Sequence, residues 1–238
     1  MNPSTCSRLL VFVVLSIVFS GCVGYSTPVP LLPDDSLVTG KPCSPPCWQN
    51  LTPGQSTWKD VSQFLEVNPF VKGNYVSKAT ATINEAFTQF WWWINESQDS
   101  QRMNMFAIDK QGRLSAITLI PNTTITIQQI IQKYGVPALI SAAASAPGRR
   151  RGVVFTALYV KQQLEVNWFE EVEKNRGHFC PALDVPVYQA SYYSPTLIDA
   201  SENRLRGAAP HEGFALFDGN SVVSFVNGEV QLGCFDIP

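Results

Sequence analysis

The sequence contains few histidines and few charged residues, and these shortages remove most of the common catalytic sites. Only two histidines, His178 and His211, occur among the 238 residues, and charged residues make up 15% of the chain. His211 is not followed four residues later by the second histidine of a zinc-protease helix. The chain contains neither the Gly-x-Ser-x-Gly motif of many hydrolases nor a glycine-rich phosphate loop. We therefore expect no enzyme and no cofactor; Cys180 with His178 is the best remaining arrangement for a hydrolase or redox enzyme.

An overall excess of positive charge is missing as well. The chain has 17 basic and 19 acidic residues, a net charge of −2, whereas proteins that bind nucleic acid usually carry a basic excess. Hydrophobic residues make up 45% of the sequence, enough for a folded core and too many for a disordered chain. The composition therefore predicts a globular protein that does not bind nucleic acid.

The apolar run near the start of the chain, Leu9–Phe19, has about half of the ~20 residues that a transmembrane helix needs. Arg8 precedes this run, and the small residues Ser20 and Gly21 follow it, as in a secretory signal peptide. The sequence predicts that residues 1–21 are this signal peptide, so we expect an exported protein.

Cys22 directly follows the predicted cleavage site. A cysteine in this place resembles the lipobox of bacterial lipoproteins, in which the sulfur receives a diacylglycerol and the cysteine becomes the new N-terminus. The resemblance implies that Cys22 is lipidated and that the protein is extracytoplasmic, anchored to a bacterial membrane, since two or more acyl chains hold a protein firmly. The alternative is an ordinary signal peptide, because Phe19 stands where lipoboxes usually carry leucine.

Four cysteines remain in the predicted mature protein beyond the lipidated one: Cys43, Cys47, Cys180 and Cys234. An even number of cysteines in an exported protein predicts disulfide bonds. Of the three pairings, we favour Cys43–Cys47 with Cys180–Cys234, which would close a tight turn and a long C-terminal loop. The alternative is a zinc site that uses these thiolates, alone or with a histidine, although Cys180 and Cys234 lack the close spacing of zinc ligands.

Prolines are concentrated ahead of the predicted folded body. Six of them lie between residues 23 and 46, in a stretch with almost no helical or strand periodicity. Such segments are extended, with a rise of ~3.1 Å per residue when they adopt a polyproline conformation. We therefore expect residues 22–47 to be a tether between the lipidated cysteine and a body that begins near Trp48.

The body divides into two segments, 48–120 and 121–238, and each opens with the pattern of a short amphipathic helix. Thr57 and Thr126 are suited to cap these helices, and Asp60 has the position of the acid in a capping box. Apolar residues follow each cap at helical spacing. A third short helix is expected over residues 194–206.

Strand-like segments separated by turn signals follow each helix. They are 75–83, 87–94, 103–108 and 114–120 in the first half, and 153–160, 163–169, 185–192, 213–217, 222–226 and 229–232 in the second. The sequence therefore predicts an α+β fold of tandem halves, each a short helix followed by an antiparallel β-meander, with the helices packed on one sheet face. Hairpins at the C-terminus complete the second half.

Trp91-Trp92-Trp93 is the most conspicuous side-chain cluster in the sequence. Within a strand, Trp91 and Trp93 lie on one face and Trp92 on the other. One interpretation is a strand buried on both faces. The other is that Trp91 and Trp93 form an exposed aromatic platform for a partner protein, a small ligand or a glycan.

A run of three arginines, Arg149, Arg150 and Arg151, falls in a predicted loop. Adjacent guanidinium groups can contact anionic head groups or an anionic wall polymer, which makes the run a second candidate for ligand or partner binding. The alternative is a solvated loop tip that discourages pairing between sheet edges.

Two short stretches, Thr-Pro-Gly-Gln-Ser-Thr at 52–57 and Gln-Lys-Tyr-Gly-Val-Pro at 132–137, resemble those of a group of uncharacterised bacterial lipoproteins. This group is similar to the small outer-membrane assembly lipoproteins and to the tandem-repeat β-lactamase inhibitory proteins. Pro-Cys-Ser-Pro-Pro-Cys-Trp at 42–48 is also typical of the group. The resemblance covers residues 50–170 and implies a helix-plus-sheet fold that binds protein without catalysis. We therefore expect a non-catalytic module that is anchored to the membrane and binds another envelope protein.

Overall fold

A computed structural model describes most of the chain from Asp35 onward. The described residues are 35–68, 82–83, 87–92, 104–121, 124–145, 152–171, 178–207, 214–226 and 229–236. The helices within them are α1 (Ser36–Thr39), α2 (Trp58–Val67), α3 (Ile127–Tyr134), α4 (Pro195–Gly207) and α5 (Gly219–Val222).

The helices α2 and α3 begin at the two predicted caps. The backbone N–H of Thr57 donates to the Asp60 carboxylate at 2.7 Å, which confirms the acidic partner of this cap. At α3, the backbone N–H of Thr126 donates to the side-chain oxygen of Gln129 at 2.9 Å, while the Thr126 hydroxyl accepts from the Gln129 backbone at 3.4 Å. Each reciprocal pair satisfies first-turn donors and explains why the helices start where they do.

Thirteen strands lie in the described residues, and most follow the sequence-predicted segments within two residues. They are β1 (Thr82–Ile83), β2 (Phe87–Trp92), β3 (Asn104–Asp109), β4 (Leu114–Leu119), β5 (Leu139–Ser145), β6 (Gly152–Tyr159), β7 (Leu164–Glu171), β8 (His178–Phe179), β9 (Val187–Tyr193), β10 (Phe214–Asp218), β11 (Val223–Val226), β12 (Glu229–Leu232) and β13 (Phe235–Asp236).

Nine of these strands form one antiparallel sheet in the order β1-β2-β3-β4-β9-β7-β6-β5-β10. The strands β1 to β4 form one meander and β5 to β7 another. The strand β9 pairs with β4 on one side and β7 on the other, and so joins the two meanders into a single sheet. Two small sheets, β11–β12 and β8–β13, complete the described strands. The fold is therefore α+β, as predicted.

One face of the large sheet carries the main hydrophobic core. A row of residues in direct register runs across it from β4 to β5, and each is at most 4% exposed: Leu119, Ala190, Val166, Ala157 and Ile140. The apolar sides of α2 and α3 belong to the same cluster of buried residues. These helices are amphipathic because their apolar residues recur at helical spacing, and the sheet buries that side.

The opposite face of the sheet, called the second face below, is covered by α4 at one end. Ile198 of α4 packs with Leu139 of β5 and Leu158 of β6, which point away from the main core. The prediction that the helices pack on one face therefore holds for α2 and α3 but not for α4. The reason is that α4 follows β9 in the middle of the sheet and has its own apolar residues to bury.

The segment before α2 is folded against the body. Leu37 of α1 is 3% exposed and Trp48 is 1% exposed, and both belong to the main core. The ring of Trp48 lies 5.2 Å from that of Phe64 and 6.2 Å from that of Phe106. The predicted tether, 22–47, is thus corrected at its C-terminal end, because burial of these apolar side chains holds residues 35–47 on the body.

Candidate binding surfaces

Most of the sequence-predicted contact residues lie outside the described residues. This holds for Cys22, Trp93 and the three arginines Arg149, Arg150 and Arg151. The backbone of Trp91 is described: it lies in β2, directly opposite Met105 of β3.

The predicted disulfides are both present. Cys43 is bonded to Cys47 with an S–S distance of 2.10 Å, and Cys180 to Cys234 with 2.03 Å. The second bond joins the residue after β8 to the residue before β13, so it closes the small sheet that these strands form. The pairing that we favoured from spacing is confirmed, and Cys180 is not a free thiol beside His178.

The second face of the sheet changes from apolar to polar along one register row. The row runs through Met105 of β3, Thr118 of β4, Ser191 of β9, Glu165 of β7 and Leu158 of β6. At the Leu158 end the row lies under α4, whereas Met105 and Thr118 at the other end are half-buried. The sheet thus has an apolar zone beneath α4 and a polar zone beside it.

Hydrogen bonds connect the side chains of the polar zone. The Thr156 hydroxyl donates to the Asn167 side-chain oxygen at 2.6 Å, and the Asn167 amide donates to Glu165 at 3.2 Å. The hydroxyls of Thr118 and Ser191 lie 3.1 Å apart. Buried polar groups that are bonded to one another in this way keep fixed positions, because breaking a bond leaves an unsatisfied group behind.

Tyr193 lies at the edge of the polar zone that is next to α4. Burial raises the pKa of the Tyr193 phenol above its usual value, and the negative charge of Glu165 raises it further. The phenol therefore stays neutral at physiological pH and keeps its hydroxyl proton for hydrogen bonding.

A second candidate lies at the end of the β3–β4 hairpin, where a cavity of about 520 Å³ opens beside the start of α4. We call it the hairpin pocket, and its lining residues are Gly54, Asp109, Lys110, Gln111, Arg113, Ser115, Ser194, Pro195, Thr196 and Leu197. Its volume falls in the range of small-molecule sites, ~300–1,000 Å³. Sequence reasoning recognised the turn of this hairpin but had no signal for the return of α4 beside it.

The turn that forms one wall of the hairpin pocket is held by Asp109. Its Oδ1 accepts from the backbone N–H of Gln111 at 2.9 Å and of Arg113 at 2.8 Å. Its Oδ2 lies 3.3 Å from Nε of Arg113, an ion pair in which the arginine side chain stays 56% exposed. The carboxylate therefore stabilises the turn and fixes the positions from which the side chains of Arg113 and Lys110 extend.

No helix in the described ranges is long and apolar enough to cross a membrane. Within the same ranges, no group of three or more His, Cys, Asp or Glu side chains is arranged to hold a metal ion.

Comparisons with known proteins give no assignment: no family model, no curated protein and no solved structure matches the chain.

Proposed function

We propose that this protein is an exported, lipid-anchored module of the bacterial cell envelope that binds another envelope protein without catalysis. The observation that carries the proposal is the end of the second face that no helix covers within the described residues, where Met105, Thr118 and Gln189 are half-buried on three adjacent strands. This end lies outside the zone that packs against α4. A rigid sheet with a fixed polar network and an apolar margin is suited to docking a protein surface.

The extracytoplasmic location in this proposal is inferred from the cysteines. Two disulfides are typical of proteins that fold in an oxidising environment outside the cytoplasm. The apolar run that ends before Cys22 supplies a signal for export, and Cys22 supplies the sulfur for lipidation. With residues 35–47 on the body, the remaining tether from Cys22 to Asp35 would span at most ~45 Å, which keeps the module close to the membrane.

We further propose that the fold consists of tandem halves. Each half would open with a threonine-capped helix, α2 or α3, and continue into an antiparallel meander. This arrangement supports the resemblance to the small assembly lipoproteins and the tandem-repeat inhibitory proteins, which act by binding protein.

The binding surface in this proposal extends from the polar zone toward β2. The register places Trp91 opposite Met105, next to the row that contains Thr118 and Ser191. Trp91 and Trp93 remain the first candidates for anchor residues, because tryptophan is enriched at the energetic centres of interfaces. The partner would cover these aromatics and the half-buried side chains of β3, β4 and β9.

Site-specific cross-linking in the native envelope tests the binding surface. A photo-reactive residue at Gln189, on the second face, is compared with the same residue at Gln132, which is exposed on α3. We expect a discrete adduct with one envelope protein from position 189 and none from position 132. The adduct should disappear when Met105→Lys is added while the circular dichroism spectrum is unchanged. The same adducts from both positions would contradict the proposed surface.

Fractionation tests the anchor separately. The Cys22→Ser variant should move from the membrane fraction to the soluble fraction while its disulfides remain formed. Retention in the membrane fraction, or reactive thiols at all four body cysteines, would contradict export and lipidation without bearing on the binding surface.

A further inference from the structure

The hairpin pocket is separate from the second face and contains features that a simple turn does not need. Ser115 and Ser194 line it and are 4% and 8% exposed, respectively. Within the described part of the chain, neither hydroxyl has a hydrogen-bond partner, although the backbone N–H of Ser194 donates to the carbonyl of Ser115 at 2.8 Å. The two residues line the open cavity and their hydroxyls are not among the fully buried polar atoms, so both hydroxyls are available to donate to a ligand that supplies acceptors.

The charges of the hairpin pocket indicate the sign of that ligand. Asp109 is engaged by the turn, as described above, and its charge is balanced by Arg113 at 3.3 Å. The ammonium of Lys110 has no ion-pair partner among the described residues and is exposed at the same wall. The wall therefore carries a net charge of +1 from Asp109, Lys110 and Arg113, which are one negative and two positive groups.

The α4 side of the pocket adds a donor. Pro195 has no backbone N–H, and the N–H of Leu197 donates to the carbonyl of Ser194 at 3.0 Å. The N–H of Thr196 is thus the first-turn donor available to a ligand, at the positive end of a 13-residue helix. This donor reinforces the preference for an anion that Lys110 and the two hydroxyls already establish.

The pocket is also a rigid feature of the fold. The N–H of Gly54 donates to the carbonyl of Leu114 at 2.6 Å, which ties the loop before α2 to β4. Gly54 has a φ of +85°, and a Cβ there would lie 3.2 Å from the Pro195 ring. Glycine thus allows the loop and the start of α4 to approach each other at this wall of the cavity.

We propose that the hairpin pocket binds a small ligand through an oxyanion, a carboxylate or a phosphate. Lys110 and Arg113 supply the positive charge, and the hydroxyls of Ser115 and Ser194 donate hydrogen bonds to the anion. The volume of about 520 Å³ leaves room for further ligand atoms beyond the anionic group. Such a site would give the protein a ligand-binding activity that is independent of a protein partner on the second face.

Titrations of the full-length protein at constant ionic strength test this site. Inorganic phosphate, acetate and vesicles that contain phosphatidylglycerol are added separately, and backbone amide shifts are followed by NMR. We expect saturable shifts confined to residues 109–115 and 194–197. Shifts with the soluble anions alone identify a free ligand, and shifts with vesicles identify a lipid head group; both support the oxyanion site. The absence of saturable shifts in all three titrations would overturn it.

Two lysine variants separate specific binding from general attraction of anions. Lys110→Gln should weaken phosphate binding about three- to fivefold, the usual effect of one exposed ion pair. Lys161→Gln removes the same charge from an exposed turn between β6 and β7 and should leave the affinity unchanged. Ser115→Ala tests the Ser115 hydroxyl without a change of charge and should also weaken binding. Equal affinities for the wild type and the Lys110 and Ser115 variants would overturn the assignment.

Discussion

The hydroxyl of Tyr134, on α3, donates a hydrogen bond to the carbonyl oxygen of Leu37, on α1, at 2.5 Å. The two residues are 97 positions apart in the chain. This contact, together with the burial of Leu37, holds the start of the described chain against the body of the protein. It therefore sets the length of the segment that can act as a tether.

Tyr134→Phe should lower the free energy of unfolding by about 1 kcal/mol, since the Leu37 carbonyl loses its donor while the ring packing is kept. The loss is measured by urea denaturation. Hydrogen exchange of the α1 amides should also become faster. Tyr188→Phe is the control, because Tyr188 is 43% exposed and its loss of a hydroxyl should change neither quantity. Equal effects of the two substitutions would contradict the role of the Tyr134 contact.

The protein should unfold cooperatively at alkaline pH. Burial raises the pKa of Tyr134 to about 12, and it raises the pKa of Tyr159 and Tyr193 as well. Because these folded-state values exceed the unfolded value near 10, the stability is fully present below pH ~10 and is lost as the pH rises through the folded values. Tyrosinate absorbance and near-UV circular dichroism should change together in one step. Gradual ionisation in a folded protein would contradict this.

Tyr159→Phe should leave the free energy of unfolding at neutral pH nearly unchanged. It should also reduce the loss of stability at alkaline pH. The Tyr159 hydroxyl is buried and has no hydrogen-bond partner among the described residues, so its removal costs little. Above pH ~10 the stability of the variant should fall less steeply than that of the wild type. The difference in slope is up to ~1.4 kcal/mol per pH unit, because the variant lacks one tyrosine whose pKa is raised in the folded state. Urea denaturation at two pH values measures both effects. A large loss at neutral pH would show that this hydroxyl has a structural partner.

The two disulfides should differ in their contribution to stability. Cys180 and Cys234 are 54 positions apart, whereas Cys43 and Cys47 are 4 apart. In the chain-entropy description, loss of the long loop costs about 4 kcal/mol and loss of the short one about 2 kcal/mol. Paired serine substitutions at each bond, compared by guanidinium denaturation, test this order. A greater loss from the short loop would indicate that its bond stabilises the packing of Trp48.

Trp48→Ala should cost about 3–5 kcal/mol, since it leaves a large cavity between Phe64 and Phe106. Phe225→Ala is the matched control, because Phe225 is 46% exposed and its truncation leaves no cavity. The control should change the free energy of unfolding by less than ~1 kcal/mol. A small effect of Trp48→Ala would mean that the segment before α2 is not part of the core.

Local sequence patterns were sufficient for elements whose signals lie within a few residues. The caps at Thr57 and Thr126 predicted the starts of α2 and α3, and alternating apolar residues predicted most strands. The strand β5 was missed, because its sequence Leu-Ile-Ser-Ala-Ala-Ala-Ser is rich in alanine, which has little preference for strands. Pairing with β6 and β10 makes it a strand. Tertiary contacts override weak local preference in such a segment.

In the candidate sites, too, some features were predicted from local sequence and others depend on tertiary contacts. The turn between the segments 103–108 and 114–120 was predicted from its turn signals, but no local signal places Ser194 beside Ser115. Similarly, the Trp91 cluster was recognised from the sequence, while its register opposite Met105 depends on strand pairing. The cysteine pairing was the exception, because spacing favoured the observed bonds over their alternatives.

The amino-acid sequence by itself predicted the α+β class, the starts of α2 and α3 and most strands, and it favoured the observed cysteine pairs over their alternatives. Each of these depends on neighbouring residues or on a small set of alternatives. Only the tertiary structure decided that β9 lies between β4 and β7, that α4 covers the second face and that residues 35–47 belong to the body. These features depend on which distant apolar surfaces bury each other, and that competition involves the whole chain at once.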